Sequence, residues 1–449
     1  MNPDWHEPQA AFRLLERVVD RSPADETEAV VIARETGVTR FADSRIHQNM
    51  AEEDADLLLR VVVDGRVAGL RTNRLETADL AAAVQRAVEI ARQIPRDPDF
   101  PGLPDPAGGP IVTDQVAGAT ALATPQRRAE AVRQLVEACG GLPAAGVVES
   151  GLSAVTVANS RGVRAHGRRS RAALVAVVQA EDGSAYVQAV DADLGRIDPT
   201  ALGRRAAERA RVARRPADLE PGTYPVVLDV PAVALVLTYL AMTTFNGRAV
   251  LEGRSALATR LGQQVTDPRV QIWDDASDPR TIGLPFDFEG TPRRRLDLIR
   301  DGVAVGVAYD SRTAHKAGVA NTGHALPQPN ALGPVPTNLF MGPGEGTLDD
   351  LIAQVDRGVL ITRFHYVRVV HPARTVITGM TRDGTFLIEG GRISRSLRNM
   401  RFNVSMLDML AALERIGGEG RLAGEEMAAY APPVLAREFT FTSRTLSQE

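Results

Sequence analysis

A chain of 449 residues is long enough for two or three domains with sizeable cores, and 44% hydrophobic with 24% charged residues is the balance of an ordinary globular protein. A formal net charge of -4 and a pI near 6.1 exclude attraction of the whole molecule to nucleic acid or an anionic membrane. The single cysteine, Cys139, excludes an internal disulfide or a thiolate zinc cluster, and its apolar helical setting predicts an inert buried thiol.

Lys316 is the only lysine, so nearly all basic charge is arginine, which reads as a compositional bias. No run of about 18 apolar residues occurs, and MNPDWHEPQA at the start lacks a basic then apolar leader pattern. The expectation is a cytoplasmic protein with neither membrane nor direct nucleic-acid contact.

In chain order, apolar spacing predicts a helix over 9–20, then short strands over 28–33, 39–41 and 44–48. A hairpin over 56–70 turns at Asp64-Gly65, and an alanine-rich helix covers 79–93 with Thr77 as a candidate cap. Pro95, Pro98, Pro101, Pro104, Pro106 and Pro110 then mark a stiff surface connection. Beyond it come a helix over 125–139, strands over 152–157 and 163–166, a hairpin across Asp182-Gly183, and a helix over 199–214. A strand over 223–228 and an apolar helix over 229–243, with Pro231 in its first turn, follow.

The C-terminal part shows a hairpin over 296–309 on Asp301-Gly302, then short strands over 338–340, 359–362, 364–370, 375–380, 385–388 and 392–394. Such spacing predicts a curved antiparallel sheet or partial barrel, covered by helices over 347–355 and 406–416 and closed by 432–441. The expected fold class is α+β, a smaller N-terminal α+β domain followed by a larger β-rich domain. The expected divisions are 1–94, a proline-rich connection over 95–124, a middle α+β region over 125–220, and a β-rich cleft domain over 221–449.

Between Pro285 and Asp310, Asp287 and Glu289 stand beside a turn at Gly290 and Pro292; in an extended run both acids would face one surface. FDFEGTP there, followed by LIRDGV, YDSRTAHKAG, TGHA, PTNLF and FLIEGGRI, resembles the TldD/PmbA family of peptidase-related proteins, once called modulators of DNA gyrase. Each motif is short, but their order and spacing are specific. The resemblance extends in weaker form from TRFADSRIHQNM to the last hundred residues, and it implies the same two-part fold with a cleft in the larger part.

In the metal-bearing branch of that family, the helix equivalent to 229–243 carries H-E-x-x-x-H, two metal ligands and a general base. Anchored on GRSAL at 253–257, that pattern falls on Thr238, Tyr239 and Thr243, none of them a good ligand or base. The departure resembles the PmbA (TldE) branch. It implies no catalytic residue, metal or cofactor in this chain, zinc on a partner subunit, and a peptide substrate. The implied partner is a metal-bearing paralogue in a heterodimer, or a second copy in a homodimer.

An exposed sheet edge would hold the peptide through main-chain hydrogen bonds. Asp287, Glu289, His324 and Asn338 are expected to line the groove, and Thr243, Phe245, Asn246, Arg254 and Ser255 to face the cleft or the partner. The alternatives are a stand-alone hydrolase with an unrecognised site and a gyrase- or DNA-associated binding protein, the latter disfavoured by the acidic pI.

Other constellations read as structural. His365 and His371 would lie about 20 Å apart on a strand, too far to share a metal. Asp274, Asp275 and Asp278 read as a solvated turn. GPGEG at 342–346 lacks a phosphate loop's lysine, and Thr347 with Asp350 reads as a helix cap. Ser311 and His315, beside Asp310, read as a capped helix ending at Gly318.

Overall fold

The computed structural model describes residues 5–425 and 427–444. Its first part runs α1 (Pro8–Asp20), β1 (Glu26–Ala42), β2 (Arg45–Val63), β3 (Arg66–Thr72), α2 (Thr77–Gln93), β4 (Ile111–Gln115), α3 (Gly118–Ala121), α4 (Pro125–Ala138), β5 (Ala144–Asn159), β6 (Arg164–Ala180), β7 (Gly183–Asp191) and α5 (Pro199–Val212). The seven strands form one sheet in the order β3-β2-β1-β5-β6-β4, with β7 also paired to β6.

Successive residues of β1 serve opposite faces. Ala29, Val31 and Ala33 join a cluster with α1 and α2, whereas Val30 and Ile32 meet Leu284 and Phe286 from the second part. With both faces covered the strand reads as a continuous apolar run, and the usual alternation is lost. Helices α4 and α5 pack with β5, β6 and β7 around Leu135, Cys139 and Leu202. The Cys139 thiol is free and buried, and burial pushes it up to about 11.

The three short strands expected over 28–48 are corrected to β1 and the start of β2. These pair from Glu26↔Val62 to Ala42↔Arg45, around a turn where Asp43 and Ser44 take positive φ. The polar run 45–54 is extended because the ladder continues through it, although it has no apolar face to advertise a strand. The proline-rich connection has Leu103 buried and is fastened down by ion pairs of Asp97 with Arg312 (2.7 Å) and Asp99 with Lys316 (2.6 Å). It then adds β4, parallel to β6. Because β1 pairs with β5, segments before and after the prolines share one hydrogen-bonded layer.

The second part runs β8 (Gly222–Leu228), α6 (Val230–Thr243), α7 (Gly247–Leu251), β9 (Ile272–Asp274), β10 (Leu296–Arg300), β11 (Val303–Ala304), α8 (Ser311–Ala317), β12 (Leu339–Met341) and α9 (Leu348–Ala353). It continues with β13 (Arg357–Ile361), β14 (Phe364–His371), β15 (Val376–Thr381), β16 (Thr385–Glu389), β17 (Arg392–Ser396), β18 (Met400–Ser405), α10 (Met406–Ala411), β19 (Leu413–Ile416), β20 (Arg421–Ala423), β21 (Ala429–Ala431) and β22 (Val434–Arg444).

Nine strands form a curled half-barrel in the order β14-β15-β18-β22-β8-β13-β16-β17, with β19 on β22. Six more run β11-β10-β9-β12-β21-β20. The largest core gathers Val233, Val236, Leu237 and Leu240 of α6 with Val226, Ile361, Ile377, Phe402 and Phe439 of the curled sheet. Helix α6 is apolar nearly all round because it is enclosed nearly all round. Its cap, Asp229, is buried and paired with Arg209 (2.9 Å) and Arg421 (3.0 Å), which overcome the effect of burial and hold the carboxyl below the usual range. The α+β class and the curved sheet therefore stand as expected.

Three local expectations are corrected. The strand over 303–309 stops at Ala304, because the main chain of Ala308 turns to pair with Phe245 and Gly247. The helix over 406–416 ends at Ala411, and Leu413–Ile416 becomes β19 against β22. The segment expected to close the sheet is β22, which sits inside it between β18 and β8.

Candidate active-site cleft

Helix α6 presents one face, Pro231, Leu235, Thr238, Tyr239 and Met242, to a cleft of about 470 Å³. These residues recur at three- and four-residue spacing, which brings them to one side of a helix. The opposite wall is Arg363 to Arg368, mostly from β14, and Leu326, Leu332, Val335 and Thr337 close one end. Strand β14 is an edge: among the described residues it pairs with β15 alone. Its register shifts between His365 and Arg368, where Tyr366 takes φ 49° and stands 66% exposed.

Thr238 and Tyr239, at the positions of the first ligand and the base in the metal motif, face this cleft. Their hydroxyls are committed elsewhere: Thr238 Oγ1 donates to Ala234 O at 3.0 Å and Tyr239 OH to Val367 O at 2.8 Å. Thr243 Oγ1, at the last ligand position, donates to Tyr239 O at 2.7 Å. Neutral hydroxyls so bonded do not fit a divalent cation, which takes imidazole, carboxylate or thiolate ligands. Among the described residues no three His, Cys, Asp or Glu side chains come together as a metal cluster.

His365 stands in the cleft with its ring 4.1 Å from that of Tyr366. Burial, with Arg382 and Arg363 nearby, holds its pKa below the ordinary value, so the ring is neutral near pH 7. Arg363 stacks over Tyr186 at 4.1 Å and is anchored by Asp383.

Of the residues expected in the groove, Asp287 and Asn338 border a second chamber, and none of the four lines the α6 cleft. Asp287 and Glu289 are both buried, in a tight turn that Gly290 makes possible at φ 74°. Asp287 accepts from the backbone N–H groups of Glu289, Thr291 and Ala325, each at 2.9 Å. Burial and the Glu289 charge push its carboxyl up to about 7.

Glu289 accepts from Arg60 at 2.8 Å and from the Ser311 hydroxyl at 2.6 Å. Burial alone would raise it, but Arg60 and Ser311 hold it below the usual range. Ser311 thus serves the carboxylate, and Asp310 with Thr313 forms the capping box of α8, which ends on Gly318 at φ 67°.

His324 is wholly buried against Asp274, 3.1 Å away, and Asp274 also accepts the Asn338 N–H at 2.6 Å. That removes Asp274 from the solvated turn expected of it, while Asp275 and Asp278 do turn the chain, towards Ser277 and Arg280. Phe245 and Asn246 are wholly buried, Asn246 capping α7 by accepting from Ala249 N at 3.0 Å. Ser255 is buried and donates to Thr244 O at 2.7 Å. Thr243 is half-buried, and only Arg254 is exposed, paired with Glu252. None of these residues lines the α6 cleft.

What sequence reasoning missed is the opposite wall, Arg363, His365, Tyr366 and Arg368. The signal available was FHYVRVVH, an aromatic and basic run with no apolar alternation to bury it.

Sequence models of the PmbA/TldA metallopeptidase match this chain in order: domain 1 over residues 27–91, the central domain over 120–214 and the C-terminal domain over 221–443. Metalloprotease PmbA of Escherichia coli is 22% identical over 439 residues, 92% of this chain and 93% of that one. A metalloprotease TldD homolog of Haemophilus influenzae is 26% identical over 240 residues, 53% of this chain; the chain spans about half the length of such TldD-type relatives, 49% in this case. The fold is that of TldE from Thermococcus kodakarensis, with a TM-score of 0.83 at 18% identity, covering 97% of this chain and 99% of that one. With all three of its domains matched in sequence order, the chain belongs to the TldD/PmbA family of metallopeptidase-related proteins.

Proposed function

We propose that this chain is the subunit of a TldD/PmbA-type peptidase pair that lacks H-E-x-x-x-H, as in the PmbA/TldE branch. It holds an extended peptide in the α6 cleft for cleavage by a metal-bearing paralogue. The observation that carries this reading is the pairing of an unpartnered strand edge, β14, with a helix face whose hydroxyls are already bonded within the chain. The edge supplies main-chain donors and acceptors to a peptide, and the cleft wall supplies apolar surface from Leu235, Met242 and Val335. The chain's own contribution is to fix the register of the peptide and to exclude water around it. Zinc is assigned to the partner.

The test is elemental analysis and light scattering on the purified chain, alone and mixed with a paralogue that carries H-E-x-x-x-H, together with cleavage of an unfolded peptide. The expected result is a stable complex that cleaves, with zinc carried by the paralogue and no cleavage by this chain alone. Near-stoichiometric zinc in this chain alone, with cleavage that a chelator abolishes, would overturn the proposal.

A further inference from the structure

A second chamber, of about 370 Å³, lies where β1, β5 and β6 face the loop that carries Asp287, and Arg34, Arg169, Arg171 and Arg293 all line it. Two of these guanidinium groups have no acid of their own. Arg169 donates to Ser153 Oγ at 3.1 Å and to the Ile282 carbonyl at 3.2 Å, and Arg293 donates to Thr337 Oγ1 at 2.8 Å; among the described residues neither forms a salt bridge. The Nε atoms of Arg171 and Arg293 are buried without a hydrogen-bond partner.

The other two are only loosely matched. Arg171 lies 3.4 Å from Glu149, and Arg34 lies 3.3 Å from Asp56. Burial, followed by the charges of Arg293, Arg34 and Arg171, pushes the Arg169 guanidinium down to about 10. Asp287 also touches the chamber, but backbone N–H groups occupy its oxygens. Four like charges gathered in a half-enclosed space, where Glu149 is loosely placed and Asp287 is already bonded, are under-neutralised, a cost that a bound anion removes.

Thr337 and Met427 line this chamber and the α6 cleft alike, so the two spaces adjoin. A ligand lying in the cleft therefore has the arginines at its end. A carboxylate, planar with two acceptor oxygens, matches the fork of a guanidinium.

Building on the function proposed above, we propose that the arginine chamber receives a carboxylate of the peptide held in the cleft, either its C-terminus or an acidic side chain next to it. The chain then selects where along a peptide the cut falls by gripping a charge at a fixed distance from the cleft.

The test uses the full chain without its paralogue, so that it does not depend on cleavage. N-acetyl-alanyl-alanine and its C-terminal amide are titrated calorimetrically, beside N-acetyl-glutamyl-alaninamide, which moves the charge to a side chain. Charge-assisted hydrogen bonds of this kind predict that the free acid or the glutamyl amide binds at least about tenfold more tightly than the uncharged amide. Whichever does so identifies the source of the carboxylate. Arg169→Gln and Arg293→Gln should each abolish that preference, and Arg392→Gln on the far edge of the curled sheet should not.

Should Arg169→Gln fail to fold, Arg293→Gln decides alone, since among the described residues its guanidinium bonds one hydroxyl, that of Thr337. Equal affinity for charged and uncharged peptides, or no binding of either charged one, would overturn the proposal. So would inorganic phosphate binding more tightly than both. Cleavage by the mixed subunits would leave the function proposed above standing in each of those cases, and a failure of that cleavage assay leaves the affinity ratio readable.

Discussion

Arg60 of β2 and Glu289, 229 residues further along the chain, meet at 2.8 Å with side chains 6% and 1% exposed, and Glu28 of β1 closes on the same guanidinium at 2.7 Å. One cation thus serves two buried carboxylates from different parts of the fold. Arg60→Leu leaves both acids without a counter-charge and should cost about 3–5 kcal/mol, read as a lowered urea midpoint. A loss under about 1 kcal/mol would show that the two parts are held together by other contacts.

The same triad gives stability a pH dependence with a definite sign. Burial pushes Glu28 up to about 7, against the pull of Arg60 and with added repulsion from Glu289, whereas the unfolded side chain titrates near 4.5. Between those values the folded chain keeps a proton that the unfolded chain has released. This contribution is therefore complete below the unfolded value and is lost as the pH rises through 7, a change of up to about 3 kcal/mol. Asp287, also raised to about 7, acts in the same direction from 3.8. Denaturation midpoints of Glu28→Gln should fall less steeply than wild type between about pH 5 and 7; an unaltered slope would take Glu28 out of this account.

Tyr239→Phe removes a hydroxyl that ties α6 to the strand across the cleft, at the Val367 carbonyl. A single such bond is worth about 1 kcal/mol, so amide exchange in β14 should quicken about fivefold while β8 and β22 keep their rates. Uniform acceleration across the curled sheet would mean that β14 does not open separately.

Cys139 should resist a thiol reagent at pH 8 in the native chain and react fully in denaturant. Its thiol is buried and raised to about 11, so almost no thiolate is present or reachable. Rapid reaction of native protein would place α4 and α5 further apart than the structure does.

The features legible in the sequence are those decided within a few residues. The turns at Asp64-Gly65 and Asp301-Gly302, with all four residues at positive φ, the cap pair Thr347–Asp350 and the Asp310 cap of the helix that ends on Gly318 formed as their local chemistry requires. The α+β class and curved sheet were legible from strand spacing and from the family motifs together. The carboxylate pair was visible, but its fate was not. Glu289 meets the buried Arg60, and Asp287 accepts from the N–H of Ala325 as well as from its own turn; no local pattern announces either distant partner.

The cleft was half legible. Thr238 and Tyr239 were located by aligning the helix, yet the facing wall comes from β14 and from a loop between 326 and 337, and only the curl of the sheet brings them together. The spacing of His365 and His371 excludes a shared metal, but nothing local to FHYVRVVH places His365 in the cleft. Asp274 and His324 lie 50 positions apart, so neither could signal that the other would bury it.

The broken register of β14 has a consequence for the protein's company in a crowded solution. An unpaired edge is a template on which further strands, including those of identical molecules, accumulate. Here the ladder slips between His365 and Arg368 and again between Val369 and His371, with Tyr366 wrung into a left-handed turn. A long flat strand finds no continuous row of donors and acceptors to follow, whereas a few residues of flexible chain need only a short one. On the function proposed above, the kink would act as a length filter, leaving the edge open to a short peptide and closed to stacking.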